Sequence, residues 1–110
     1  MQRIFVILIT ALISHSVQAA SLKPQVPQNE RATYVEMLKT NQIAAKEYLI
    51  TREYVSQCRQ VVANPNLADD LPDEPDGFNY HYVSKDDIAM MKKAIQMSLE
   101  AYIKKESGRK

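Results

Sequence analysis

Residues 84–106, SKDDIAMMKKAIQMSLEAYIKKE, carry the strongest helix signal in the chain and decide its fold class. Ser84, followed three positions later by Asp87, forms a capping box, which marks the start of a helix. Apolar residues then recur at three- and four-residue spacing, as they do along one face of an α-helix. The main members of this stripe are Ile88, Met91, Ile95, Leu99 and Tyr102. We predict a helix that ends near Glu106, before Gly108.

A second helical pattern covers residues 29–63, which contain no Gly or Pro. Asn29 is the predicted N-cap, and Pro65 stops the helix because the residue before a proline avoids the α region. The apolar positions of this helix are Tyr34, Met37, Ala44, Tyr48, Val55, Cys58 and Val62. We predict an all-α helical hairpin of one long and one medium helix. A break near Thr40-Asn41, both weak helix formers, would give a three-helix bundle instead.

Residues 64–83, NPNLADDLPDEPDGFNYHYV, join the two helical patterns. Three prolines and an Asp76-Gly77 turn signal predict a long loop, and loops of more than about 12–15 residues are usually functional or disordered. The end of the loop, residues 78–83, alternates aromatic and polar positions, which predicts a short extended segment with its rings against the helices. The candidate functional residues of this loop are its acidic ones: Asp69, Asp70, Asp73, Glu74 and Asp76.

Residues 1–19 have the pattern of a secretory signal peptide. Arg3 precedes an apolar run over residues 4–13, which is shorter than the roughly 20 residues that span a bilayer. We predict cleavage after Ala19, a periplasmic or secreted location, and membrane contact only before the signal peptide is removed. Residues 20–28, which contain two prolines, are predicted to be a flexible lead-in, and residues 107–110 a basic tail. The remaining residues, 29–106, then form a single helical domain.

The composition excludes several classes of protein. A chain of 110 residues forms one small domain at most, so a large multidomain enzyme is excluded. The formal net charge is +1, and removing Arg3 with the signal peptide brings it to zero. A domain without a basic excess is unlike nucleic-acid-binding proteins, so we expect no nucleic-acid partner.

Cys58 is the only cysteine, so no internal disulfide can form. In an oxidising compartment, a single thiol is buried, reactive or paired with a second chain. Burial is the favoured prediction because free cysteines are among the most buried residues. A disulfide through Cys58 to another protein, or to a second copy of the chain, is the alternative.

Neither metal binding nor catalysis has a convincing pattern. An EF-hand alignment on the Asp76-Gly77 turn puts Pro72 at the first ligand position and Val83 at the last, where calcium needs carboxylates. Cys58 and His81 with the methionines could form a copper site, and the same pair could on paper form a hydrolase dyad. The sequence has no glycine-rich phosphate loop and no Gly-framed serine. We predict a non-enzymatic protein without a cofactor, and keep a small-ligand, calcium or copper carrier as the alternative.

Residues 94–100, together with Met91, resemble a ubiquitin-interacting helix. In that family, an apolar residue, an Ala three positions later and a Ser four positions after that face the partner. Met91, Ala94 and Ser98 match these positions. The resemblance covers fewer than ten residues, and the acidic run of the family is reduced to Asp86 and Asp87. It implies a ubiquitin-binding face only for a chain that is secreted into a eukaryotic host.

The apolar stripes of the two helical patterns are wider than a small hairpin can cover, because each helix buries only the face that touches the other. A domain of this size is also marginally stable alone. We therefore predict an exported protein that acts by protein–protein interaction, as an envelope accessory, a chaperone-like protein or an immunity-type protein. The predicted partner is another protein or a second copy of the chain. The predicted contact residues are Tyr48, Tyr54, Cys58, Met91, Ile95, Leu99 and Tyr102.

Overall fold

The computed structural model describes residues 21–23 and 25–108, and all the regular structure in these ranges is helical. Three α-helices follow one another: α1 (Gln28–Leu38), α2 (Gln42–Ala63) and α3 (Lys85–Ser107). Two short 3-10 helices, Pro65–Asp70 and Tyr80–Tyr82, lie between α2 and α3. The all-α class is thereby confirmed for these residues, whereas the predicted signal peptide and its cleavage site lie outside them. No helix of the described ranges is both long enough and apolar enough to cross a bilayer.

The prediction of one long helix over residues 29–63 is wrong, because the chain breaks between α1 and α2. Asn41 has extended backbone angles (φ −156°, ψ 99°), and its side-chain oxygen accepts a hydrogen bond from the Ala44 N–H at 3.1 Å. Asn41 therefore caps α2, at the position where the alternative prediction placed a break. The expected cap of the preceding helix is also corrected, since α1 begins at Gln28, directly after Pro27.

The core of the molecule is centred on α2. Helices α1 and α3 and both 3-10 helices contact it. Its buried residues are Ala45, Thr51, Tyr54, Val55, Ser56, Cys58 and Val61. Helix α3 adds only Met91 and Ala94, the first 3-10 helix adds Leu67 and Ala68, and α1 has no buried residue. The core therefore lies between α2, α3 and the first 3-10 helix, with α1 packed on the outside of α2.

Residues 64–83 form the connecting segment between α2 and α3, and Thr51 binds the end of this segment to α2. Its side chain is fully buried, and its hydroxyl donates to the Glu47 carbonyl at 2.7 Å and accepts from the Asn79 N–H at 2.8 Å. The Asn79 side chain accepts in turn from the His81 N–H at 2.9 Å, which starts the second 3-10 helix. Residues 78–83 were predicted to be extended. They are not uniformly so, because this cap starts a turn of 3-10 helix within them.

Two aromatic rings of this segment pack on α2. Phe78 makes an edge-to-face contact with Tyr54 at a centroid distance of 5.7 Å. Tyr82 makes a similar contact with Tyr48 at 5.3 Å. The third ring, Tyr80, makes an edge-to-face contact with Phe78 at 4.9 Å and stays 56% exposed. Two of the three rings predicted to lie against the helices therefore do so directly.

Arg52, in the middle of α2, links all three α-helices. Its guanidinium donates to the Glu30 carboxylate in α1, to the Tyr82 carbonyl at 2.9 Å and to the Asp87 carboxylate in α3 at 2.9 Å. Burial alone lowers the pKa of Arg52, but its two carboxylate partners outweigh burial and raise it. Burial likewise acts to raise the pKa of Asp87, yet the hydrogen bonds from Arg52 and Ser84 lower it. The cluster is therefore a set of charges whose ionised forms stabilise each other.

The start of α3 agrees with its sequence signal. The Ser84 hydroxyl accepts from the Asp87 N–H at 3.1 Å, and the Asp87 carboxylate accepts from the Ser84 N–H at 3.3 Å. The predicted capping box is therefore confirmed. Because Asp87 also binds Arg52, one carboxylate fixes both the first turn of α3 and its attachment to α2.

The described part of the lead-in runs along α2. The Gln60 side chain accepts from the Lys23 N–H at 3.0 Å and donates to the Lys23 carbonyl at 2.6 Å. The Ser56 hydroxyl donates to the Gln25 carbonyl, and the half-buried Leu22 packs against the core. The sequence predicted a flexible lead-in and none of these long-range contacts. The contacts cover a further side of α2.

Candidate functional site

The C-terminal half of α3 presents an apolar face to solvent. Ile95 is 45% exposed, Leu99 57%, Tyr102 59% and Ile103 54%. Residues three and four positions apart share a helix face, so these four side chains form one continuous surface, which we call the α3 stripe. Single exposed apolar residues are common, whereas contiguous apolar patches are typical of interaction sites, which makes the α3 stripe a candidate.

A groove of about 380 Å³ runs beside the α3 stripe. Its residues from α3 are Ile95, Ser98, Leu99, Tyr102 and Lys105, and Asp69, Leu71 and Asp73 form the opposite wall. A neighbouring hollow of about 250 Å³ shares Leu71 and Ile95 and continues the groove towards Tyr54 and Glu74. The floor is thus apolar, and the wall opposite α3 carries mainly acidic side chains.

The five acidic residues predicted as functional candidates are all exposed. Asp69 and Asp70 end the first 3-10 helix, and the other three lie between it and Phe78. Asp69 and Asp73 line the groove. Glu74 accepts a hydrogen bond from the Tyr80 hydroxyl, which raises the pKa of Tyr80. Across residues 21–23 and 25–108, no three His, Cys, Asp or Glu side chains group closely enough to hold a metal ion.

Gly77 turns the acidic segment back onto α2. Its φ of +89° lies in the left-handed region, which L side chains rarely adopt. A Cβ at this position would also lie 3.1 Å from the Ile50 side chain. The predicted Asp76-Gly77 turn is therefore present, and its glycine allows the close approach that positions the wall of the groove.

The predicted contact residues fall into two groups. Ile95, Leu99 and Tyr102 lie on the α3 stripe. Tyr54, Cys58 and Met91 are 3%, 0% and 4% exposed, so these three predicted contact residues belong to the core of the chain and not to its open surface. Tyr48 is half-buried against Tyr82. The first 3-10 helix, which was not predicted, and the predicted rings at the end of the connecting segment cover these positions.

Ile103 and Leu71 are members of the site that the sequence analysis missed. Ile103 lies four residues after Leu99, so its spacing alone would have placed it on the stripe. Leu71 had no such signal, because it follows an irregular segment whose path depends on the tertiary fold. Helix periodicity therefore predicts the residues on the α3 side of the groove but not those on the opposite wall.

Cys58 is a core residue with a protonated thiol. Burial raises its pKa to about 11, although the Tyr54 hydroxyl beside it acts in the opposite direction. At neutral pH the thiolate, which is the reactive form, is therefore scarce. The predicted burial is confirmed, and the sulfur has no exposed surface from which the alternative, a disulfide to a second chain, would form.

The face that resembles a ubiquitin-interacting helix is turned inwards. Met91 is 4% exposed and Ala94 is fully buried, while Ser98 is half-buried. Both buried residues belong to the core cluster with Tyr54 and Cys58. The implied ubiquitin-binding face is therefore wrong, since its side chains hold α3 against α2.

No protein-family model, curated protein or solved structure matches the chain. The α3 stripe and the adjoining groove are therefore the basis on which a function is assigned.

Proposed function

We propose that this protein is an exported, non-enzymatic helical protein that acts by binding another protein chain through the α3 stripe. The observation that carries the proposal is the exposure of four large apolar side chains on one helix face beside a groove. Covering such surface is favourable by about 25 cal/mol per Å² of apolar area. Envelope accessory, chaperone-like and immunity-type roles all require a surface of this kind.

The proposal takes residues 29–106 as one domain, with α2 and α3 as a helical hairpin and α1 as a third helix of the bundle. The Arg52 cluster supports it because Glu30, Tyr82 and Asp87 all bind one guanidinium. In this arrangement the core side of α3 is occupied by α2 and the first 3-10 helix. The stripe lies beside that core side, along the groove whose far wall includes Asp69 of the first 3-10 helix, and its exposed side chains are open to a partner.

A role without catalysis is supported by the state of the two residues that could have formed a nucleophilic pair. Cys58 is buried with a pKa of about 11, and His81 is exposed on the second 3-10 helix, where its ring contacts Tyr82. Nucleophilic catalysis needs an activated thiol within hydrogen-bond reach of its base. A protonated core thiol does not meet that requirement.

The location and the role can be tested together in the source organism. N-terminal sequencing of the protein from the periplasm or medium should begin at Ala20. Tagged protein cross-linked there should yield a defined partner, and Leu99→Lys should lose it because a charge then lies in the centre of the stripe. Ile43→Lys is the matched control: Ile43 is 75% exposed but lies at the start of α2, so capture should continue. Equal capture by both variants would contradict the proposed surface.

The groove supports a second candidate function, a carrier for a small apolar ligand. Its volume of about 380 Å³ falls within the range of roughly 300–1,000 Å³ that is usual for ligand pockets. A carrier should show a thermal shift with a fatty acid or another apolar ligand, and Leu71→Asp should abolish the shift. Absence of any shift, together with capture of a protein that depends on Leu99, would favour the interaction protein.

A further inference from the structure

We infer that the chain that covers the α3 stripe is a second copy of this protein, whose own α3 lies antiparallel to the first with the two-fold axis at Leu99. The inference rests on the proposed function, in which the stripe is a protein-binding surface. It adds the identity of the partner, the orientation of the two helices and their register.

Three of the four stripe residues, Ile95, Leu99 and Ile103, are self-complementary about Leu99, whereas Tyr102 pairs with the polar Gln96 position. Ile95 lies four residues before Leu99 and Ile103 four residues after it, so the three form a single i±4 ridge, the surface feature that most often packs between helices. A two-fold axis through Leu99 places Leu99 against its own equivalent and Ile95 of each copy against Ile103 of the other. Such an isologous contact uses one patch on both copies and closes as a dimer.

The charges at the two ends of the stripe favour the antiparallel orientation. Lys92 lies seven residues before Leu99 and Glu106 seven residues after it, two helical turns away on the same face. In the antiparallel pair, each Lys92 meets Glu106 of the other copy, whereas a parallel pair would bring like charges together. Charged residues at the rim of an interface fix orientation and register more than they add affinity.

The size of the surface predicts a weak, reversible dimer. Residues 92–106 span about 21 Å of helix at 1.5 Å per residue. One helix face of that length buries less than the roughly 800 Å² per partner of a standard stable interface. The monomer should therefore dominate in dilute solution and the dimer at high concentration.

Sedimentation equilibrium of the purified protein from micromolar to millimolar concentration tests the association directly. The protein should move from monomer to dimer over this range, and Leu99→Lys should weaken the association at least about tenfold, as expected for a residue at the centre of an interface. Ile43→Lys, the matched surface control, should dimerise like the unaltered protein. Circular dichroism of both variants should match the unaltered protein, which shows that a loss of dimer is not a loss of fold.

Cysteine cross-linking tests the orientation and the register. Leu99→Cys should form a disulfide dimer with itself, while Lys104→Cys, which is exposed and lies about 140° around α3 from Leu99, should not. Ile95→Cys should cross-link poorly to itself but readily to Ile103→Cys when the two variants are mixed. The native Cys58 does not compete, because it is fully buried. Cross-linking of Ile95→Cys to itself as efficient as to Ile103→Cys would overturn the antiparallel arrangement.

The outcomes separate this inference from the proposed function. A protein that stays monomeric up to millimolar concentration, yet captures a different protein in a manner that depends on Leu99, overturns the dimer and leaves the interaction surface in place. A dimer that persists unchanged in Leu99→Lys also overturns the inference, since the contact must then use another surface. Failure of both self-association and capture removes the inference and the proposed function together.

Discussion

Helices α2 and α3 are nearly equal in length, at 22 and 23 residues, and both are amphipathic, yet they are covered very differently. Helix α2 has seven buried residues, whereas α3 has two. The lead-in, α1, both 3-10 helices and α3 all contact α2, while among the described helices α3 meets only α2 and the first 3-10 helix. An amphipathic pattern therefore shows which face of a helix is apolar, and the number of neighbours decides how much of that face is removed from water.

Replacing Arg52 should reduce the covering of α2 most strongly, because the Arg52 guanidinium holds α1 and α3 against α2. The Arg52 side chain is 11% exposed, and its partners Glu30 and Asp87 are 13% and 16% exposed. Arg52→Ala removes the cation from two poorly hydrated carboxylates and leaves Asp87 with only the exposed Arg59 as a charged partner, which should lower the free energy of unfolding by about 3 kcal/mol. Urea denaturation followed by circular dichroism measures this loss.

The control for Arg52→Ala is Arg59→Ala. Arg59 also approaches Asp87, at 3.4 Å, but its side chain is 46% exposed. A solvated ion pair contributes at most about 1 kcal/mol, so this variant should remain close to the unaltered protein. Equal losses in the two variants would show that the Arg52 cluster is not what holds the helices together.

A pair of truncations compares the two helices directly. Val55 in α2 is fully buried, and Leu99 in α3 is 57% exposed. Val55→Ala should cost about 2 kcal/mol, from the lost apolar burial and the cavity that remains. Leu99→Ala should change the stability of the monomer by less than about 0.5 kcal/mol, although it removes more carbon atoms. A large loss from Leu99→Ala in dilute solution would mean that the α3 stripe is already covered within one chain.

The connecting segment also covers part of α2, and it is held there by the hydrogen bond from the Asn79 N–H to Thr51. We expect the loss of this bond to destabilise the protein less than the changes above. Thr51→Val keeps the shape of the side chain but leaves the Asn79 N–H without its 2.8 Å acceptor. An unsatisfied polar group at a partly buried position costs about 1–2 kcal/mol. Thr33→Val is the matched control, since the Thr33 hydroxyl bonds to the carbonyl four residues earlier on the exposed surface of α1. Stability that is the same in both variants would contradict an anchoring role for Thr51.

The local parts of the fold could be predicted from the sequence because their signals are local. The capping box at Ser84 and the turn at Gly77 each depend on a few neighbouring residues. Asn41 was ambiguous, since a residue that weakens a helix interior also caps a new helix, and the pattern alone does not choose between them. The anchoring role of Thr51 has no local signal, because its hydrogen-bond partner, Asn79, lies 28 residues away.

The candidate site was predictable only on its helical side. Ile95, Leu99 and Tyr102 follow from helix periodicity, and the structure leaves all three exposed. Cys58 in α2 and Met91 in α3 also follow helix periodicity. Together with Tyr54 they are buried in a core that includes the first 3-10 helix, which the sequence did not predict. Periodicity identifies an apolar face, but the division of that face into core and open surface depends on where the irregular segments lie.

The smallest expected effect concerns acid, and it tests how the N-terminus of α3 is held to α2. The pKa of Asp87 is below its ordinary value of 3.8, so in acid the unfolded chain binds its proton more readily than the folded one. The contribution of Asp87 to stability is therefore present above pH 3.8 and is lost as the pH falls through the lowered pKa of the folded state. Asp87→Asn should be less stable at neutral pH and should show a shallower loss of stability in acid. Asp86→Asn is the control, because Asp86 is an exposed neighbour in the same helical turn. Its stability should fall with pH as in the unaltered protein. A shallower fall in this control would assign the effect to the end of the helix and not to the Arg52 cluster.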